Sequence, residues 1–232
     1  MPPMLILALE TSTELGSCAL LHEGELTERL CPVGKPHSET LLPLVRELLA
    51  EADVRVSQLD AIAFGAGPGA FTGLRVACGA AQGLAVAADV PVLPVTSLEA
   101  MAALTGGEQV LSLLDARMGE VYAACYRQTD EGYALSGEIR VATPENVESP
   151  TAGHWLACGN APLAYPVLKK RLEELGIAIR SDILPTAGAV ARLAAPRVAR
   201  GDGIDPALAA PLYVRDKVAK TVAERLSEGG RA

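Results

Sequence analysis

Positive charge is in short supply in this sequence. Twenty lysines and arginines stand against 28 aspartates and glutamates, a formal net charge of −8. That balance supplies no basic face for gripping a polyanion, so DNA binding is excluded and any work on RNA needs a basic partner. Histidine is scarcer still. His22, His37 and His154 are the 3 present, far apart and without ligand spacing, and no metal site is expected from them. The 5 cysteines (Cys18, Cys31, Cys78, Cys125, Cys158) are odd in number and form no C-x-x-C pair. They read as reduced core residues and favour neither a zinc site nor a disulfide framework. A nucleophile elbow of the G-x-S-x-G type is missing, and so is a lysine in the P-loop position after the glycine-rich loop at 65–69. The richest apolar stretch, 61–95, is broken by Arg75, Asp89 and several glycines and prolines, which argues against a membrane span. The start, MPPMLILALE, has no basic region, and its apolar run stops at Glu10, too short for a signal peptide. A soluble, cytoplasmic protein is expected.

What is present is enough to build a core: 232 residues, 50% of them hydrophobic, suit one large domain or two small ones. Met4 to Leu9 reads as a central buried strand, and ETSTELG after it as a hydroxyl-rich turn. Two more strands complete a meander, over 17–21 and 24–30. A helix follows over 36–52, with Leu41, Leu44, Val45, Leu48, Leu49 and Ala52 on one face. Next come a strand at 61–65, a helix at about 70–88 and a strand at 90–95, a βαβ unit. Ser97 is the expected N-cap of a short helix, and the Thr-Gly-Gly at 105–107 marks a boundary. A second meander occupies 110–114, 120–127 and 133–141; a strand at 155–158, a helix at 161–175, a strand at 177–179 and a helix at 187–200 follow. Residues 211–214 read as an extended piece and Lys217 to Arg225 as helical. The expected fold is α/β, a duplicated ribonuclease-H-like fold of the actin, sugar-kinase and heat-shock-ATPase kind with a truncated second half. Its divisions are 1–104, 105–215 and a C-terminal helix and tail at 216–232.

The helix at 70–88 has two non-polar sides. Phe71, Leu74, Cys78, Ala81 and Leu84 or Ala85 form a stripe for packing on a sheet. Across from it, Thr72, Val76, Gly79, Gly83 and Ala87 form a second face with its glycines one turn apart. A glycine inside a helix costs about 1 kcal/mol relative to alanine, so this pair calls for the close approach of another backbone. That backbone could belong to this chain or to a partner subunit. Two turns are candidate ligand sites by analogy with the fold class: Glu10, Thr11 and Ser12 after the first strand, and Asp115, Arg117 and Glu120 in LDARMGEVY. The hydroxyls could equally satisfy their own turn, and the charges could form a surface ion pair. The amides of the G-x-G-P-G loop could hold an anion at the helix N-terminus, or serve only a tight strand-to-helix turn.

The chain resembles the TsaB (YeaZ) family, a paralogue of the TsaD family, through LALETST, HSETLLPLV at 37–45, GPGAFTGLRVACGAAQGLA at 67–85, VPVLPVTSLEA at 90–100, LLDARMGEVYAACY at 113–126 and PLYVRDKVA at 211–219. The resemblance covers nearly the whole length. TsaD-like proteins carry an H-x-x-x-H pair for a catalytic metal where this chain has Ser97 and Met101. The resemblance therefore implies a catalytically silent partner and activator of TsaD, with no metal and no tightly bound cofactor. With the ATPase TsaE, that complex transfers a threonylcarbamoyl group to the adenosine next to the anticodon, position 37, of tRNAs reading codons that begin with A. Contact with tRNA would run through TsaD, and ATP or ADP would sit only at the interface of the complex. Carried over, the interface would comprise His37, Leu41, Leu44, Thr72, Arg75, Val76, Gly79, Gly83 and Val86. A homodimer through related surfaces competes for that face. Rival readings are an autonomous metallopeptidase or nucleotide hydrolase, and a homodimeric nucleotide-binding module.

Overall fold

The computed structural model describes residues 4–150 and 152–215. The tail from residue 216 onward, including the helix expected from Lys217, lies outside the described residues. The first sheet has the order β3-β2-β1-β4-β5, formed by β1 (Leu5–Glu10), β2 (Ser17–His22), β3 (Glu25–Leu30), β4 (Ala61–Gly67) and β5 (Val92–Thr96). β2 runs antiparallel to β1 and β3, while β1, β4 and β5 are parallel. Every residue of β1 is buried because both faces of the sheet are covered. Leu5, Leu7 and Leu9 point toward α1 (His37–Glu51) and α2 (Phe71–Ala88). Ile6 and Ala8, between them, point to α6 (Ala187–Arg200) on the other face.

The second sheet, β10-β9-β6-β7-β8, contains β6 (Gln109–Arg117), β7 (Glu120–Thr129), β8 (Gly132–Ala142), β9 (Leu156–Cys158) and β10 (Ala178–Arg180). Counted from its own first strand, it repeats the order and pairing senses of the first sheet: an antiparallel meander on one side and two parallel strands on the other. Between the sheets lies α3 (Ser97–Thr105). Ala100 of α3 belongs to the apolar cluster under α6, while Leu98, Met101 and Ala102 belong to the cluster on the second sheet. The Thr-Gly-Gly boundary separates the two sheets, and α3 is their shared wall. One expected division changes: α6, placed by sequence order in the second unit, packs on β1 and β2 of the first. Together with Ala100 of α3, that helix buries the second face of the first sheet.

Two local expectations also change. The helix expected over 161–175 is two short helices, α4 (Ala161–Ala164) and α5 (Pro166–Glu174), broken at Tyr165. A residue before proline is pushed out of the helical region, and Tyr165 is extended at φ −128° and ψ 93°. Thr96 rather than Ser97 caps α3, its hydroxyl accepting from the Glu99 amide at 3.2 Å.

Length and composition alone would let α2 cross a membrane. In the fold, its Leu74, Ala77, Cys78, Ala81 and Ala85 stripe packs on the sheet, the position of a core helix. Phe71, expected in that stripe, is only partly buried and turns toward Tyr213 instead. The helix glycines divide into two kinds. A Cβ on Gly73 would lie 1.8 Å from the Thr11 carbonyl oxygen, so this glycine admits the β1 turn onto the first turn of α2. A Cβ on Gly79 or Gly83 would meet nothing within 4 Å among the described residues. Gly73→Ala should therefore lower stability by about 1–3 kcal/mol through overpacking. Gly79→Ala and Gly83→Ala should each raise it by about 0.5–1 kcal/mol, the ordinary helix-propensity gain. Denaturant unfolding of the three variants measures this, and a loss at Gly79 or Gly83 would contradict it.

Candidate functional site

The two turns singled out in the sequence meet at one end of the two sheets, where they border a cavity of about 370 Å³. Thr11, Ser12, His37, Thr72, Asp115 and Arg117 are among its lining residues. Parallel strands bring turns together at their C-terminal ends, so the convergence follows from β1 and β6 occupying equivalent places in their sheets.

Glu10 does not face this cavity. It is fully buried, with Oε1 accepting from the Ser12 amide at 2.6 Å and Oε2 from the Ser97 hydroxyl at 3.1 Å. Its carboxyl lies over Gly65, where any Cβ would come within 1.9 Å of Oε2. Burial raises the pKa of Glu10, opposed by hydrogen bonds from Ser12, Ser97 and Thr11. As a candidate ligand group it is corrected to a structural carboxyl, because its oxygens already have internal donors. Thr11 is also committed, donating to the Gly73 carbonyl at 2.7 Å. Ser12 accepts from the Ala70 amide through its own carbonyl at 2.7 Å. That carbonyl takes up the first amide at the N-terminus of α2, one of the donors expected to hold an anion. Gly69 and Gly73 thus serve the close seating of the β1 turn.

Across the cavity, Asp115 accepts from the Tyr165 hydroxyl at 2.8 Å and the Arg117 amide at 2.8 Å, and pairs with the Arg117 guanidinium at 3.0 Å. Burial, then the hydrogen bond to Asp115, push the Tyr165 phenol up to about 12. Glu120 is not gathered with these groups; it forms an ion pair with Arg215 instead. His37 Nε2 donates to the Thr13 carbonyl at 2.9 Å, tying the start of α1 to the first turn.

Ser97 and Met101, the positions where the resemblance led us to expect no metal, face inward. Ser97 spends its hydroxyl on Glu10, and Met101 is fully buried with its methyl close to Gly159. A buried thioether and an engaged hydroxyl are not the donor set for a hard catalytic metal, and these residues do not fit one.

The other expected surface is the outer side of α1 and α2. Thr72, Arg75, Gly79, Gly83 and Val86 are exposed, Val86 by 69%. Leu44 and Val76 are half-buried against the core. Leu41 is corrected from interface to core: it is fully buried beneath α1, while its neighbour Leu42 is 50% exposed. Arg75 is not a free cation. Its guanidinium lies 3.6 Å from the centre of the Phe71 ring, and its Nε donates to the Tyr213 hydroxyl at 3.1 Å. Sequence reading missed Tyr213, Tyr165, Asn160 and Arg215. Only the PLYVRD stretch gave a signal for two of them.

The family model described as TsaD, tRNA N6-adenosine threonylcarbamoyltransferase, matches residues 32–175. The Escherichia coli (strain K12) tRNA threonylcarbamoyladenosine biosynthesis protein TsaB is 36% identical over 228 residues, 93% of this chain and 96% of that protein. The crystal structure of a Pseudomonas aeruginosa protein described as similar to the peptidase YeaZ is 40% identical, with a TM-score of 0.82 over 91% of this chain and 100% of that one. YeaZ from Pseudomonas aeruginosa is also 40% identical, with a TM-score of 0.81 over 90% and 99% of the two chains. Fold and site define a two-sheet α/β protein related to TsaD. The chain belongs to the TsaB (YeaZ) family.

Glu10 gives this site a pH signature. Its folded pKa is raised above the ordinary 4.5, so the native state holds a proton that the unfolded chain releases. Its contribution to stability is full below that value and is lost as pH rises through the folded pKa. Glu10→Gln should therefore gain stability relative to the parent as pH rises from about 4.5 toward neutrality. Urea unfolding at several pH values tests this; a difference independent of pH would show that Glu10 ionises in the fold as it does in water.

Proposed function

We propose that this chain acts in the biosynthesis of tRNA threonylcarbamoyladenosine, as a non-catalytic partner and activator of a TsaD-type subunit. The observation that carries the reading is the α2 face around Gly79 and Gly83, open to a close backbone approach that no described residue supplies. A foreign helix seated there would use the bare backbone that the two glycines provide at a cost in helix propensity. Exposed Val86 and Leu42 add apolar surface on α2 and on the adjacent α1. Burying it is worth about 25 cal/mol per Å², offset by the cost of association. The relative from Escherichia coli, named for this biosynthesis, covers nearly the full length and supports the assignment.

Non-catalytic action is supported by the engagement of Glu10 and Ser97 with each other and by the burial of Met101. The reaction served is transfer of a threonylcarbamoyl group to the adenosine beside the anticodon, with tRNA held by the TsaD-type subunit and the TsaE ATPase joining the complex. ATP or ADP would bind at the interface of that complex. The chain's net charge of −8 supports an indirect role on tRNA. We read the second sheet as a shortened copy of the first and the protein's place of work as the cytoplasm. The peptidase-like description of one relative is not favoured here.

Gly79→Leu or Gly83→Leu should leave the isolated chain folded, since both sites are open, and should abolish co-elution with a TsaD-type subunit in size-exclusion chromatography. Retained co-elution would overturn the interface. If instead the parent chain forms only a homodimer that the same substitutions disperse, the face belongs to a second copy and the partnership is wrong.

A further inference from the structure

The segment that carries PLYVR is a strap. After α6 ends, Ile204 pairs with Val92 at the edge of β5, by bonds of 2.9 and 3.0 Å. The chain then runs past α2, where the Gln82 amide donates to the Pro206 and Ala209 carbonyls at 3.0 and 3.1 Å. The Leu212 amide donates to the Ala66 carbonyl at 2.7 Å, at the end of β4. Tyr213 joins Phe71 and Arg75, its ring 5.4 Å from that of Phe71. Each of these contacts is with the first sheet and its helices.

The next residues change sides: Val214 packs on the apolar cluster of the second sheet. Arg215 reaches the β6–β7 turn of the second sheet, donating to the Ala116 and Arg117 carbonyls at 3.2 and 3.4 Å and pairing with Glu120. This turn is unusual: Arg117, Met118 and Gly119 follow one another at φ of 61°, 54° and 76°. Two of the three carry side chains that disfavour the left-handed region, so the conformation persists only where the surroundings hold it. Asp115 holds it from within, through the Arg117 amide and guanidinium, and Arg215, with a side chain only 15% exposed, holds it from outside. The same turn puts Asp115 and Arg117 on the cavity wall.

We infer that residues 202–215 form a latch linking the start of α2 to the cavity, with Arg215 fixing the 116–119 turn and Tyr213 tying that grip to Phe71 and Arg75. A subunit seated on α2 would press on the Tyr213 end, and the turn would respond at the Arg215 end. This last step rests on the α2 interface proposed above; the latch itself does not.

Hydrogen–deuterium exchange of the purified full chain tests it. Arg215→Ala should speed exchange in peptides spanning 114–120 by about tenfold or more while protection of β1 and β4 is kept, a local opening. Arg215→Lys should show a smaller rise. Tyr213→Ala, which removes the contacts with Phe71 and Arg75 on α2, should also speed exchange at 114–120. Unchanged exchange there in Tyr213→Ala overturns the link, and unchanged exchange in Arg215→Ala overturns the latch. If Arg215→Ala loses protection throughout, the lysine and Tyr213 variants decide the outcome on the same criterion. Adding a TsaD-type subunit should slow exchange at 114–120 in the parent and less so in Tyr213→Ala. Equal slowing in both overturns the link, whereas failure of the subunit to bind overturns the proposed interface and leaves the latch result standing.

Discussion

The structure depends on one close contact, the backbone of the β1 turn lying on the backbone of the first turn of α2. Thr11 bonds to the Gly73 carbonyl and Ser12 receives the Ala70 amide. No side chain fits at Gly69 or Gly73 without moving that turn. The contact orients α2 against the sheet, so its alanine, leucine and cysteine stripe is buried and its Gly79–Gly83 side is turned out.

Glycines act here in two opposite ways. At 65, 69 and 73 the missing Cβ makes room for groups of the same chain, and the fold would be strained by restoring it. At 79 and 83 the missing Cβ makes room for nothing described, and the helix bears an unfavourable propensity with no internal return. Natural sequences seldom keep such a conflict without a use outside the monomer. The interface proposed on the outer side of α2 rests on this contrast more than on exposure alone.

Charged groups join the two sheets at separated points. Glu99 on α3 pairs with Arg197 on α6, and burial raises the pKa of Glu99 while Arg197 opposes the shift. Arg215 grips the β6–β7 turn from a strap anchored on the first sheet. Removing Arg197 would leave Glu99, whose side chain is 7% exposed, without its counter-charge. Apolar packing of α3 on both sides supplies the bulk of the joint.

The sequence by itself determined the periodic elements: the two meanders, the βαβ unit, α1, α2 and α6, and the two-sided character of α2. These are local patterns of spacing and punctuation, and burial enforces them wherever the chain goes. It also supplied the motifs that mark the family. Only the tertiary structure decided how polar and partly apolar residues were spent. Glu10 turned inward because Gly65 leaves a space under it and Ser97, 87 residues away, supplies a donor. Leu41 went to the core because α1 lies flat on the sheet, and Phe71 left the packing stripe for Tyr213. The place of α6 on the first sheet was likewise settled by which apolar face still lacked a cover. Partners so far apart along the chain leave no periodic trace, since hydrogen bonds and side-chain stacking are chosen by proximity in the folded molecule.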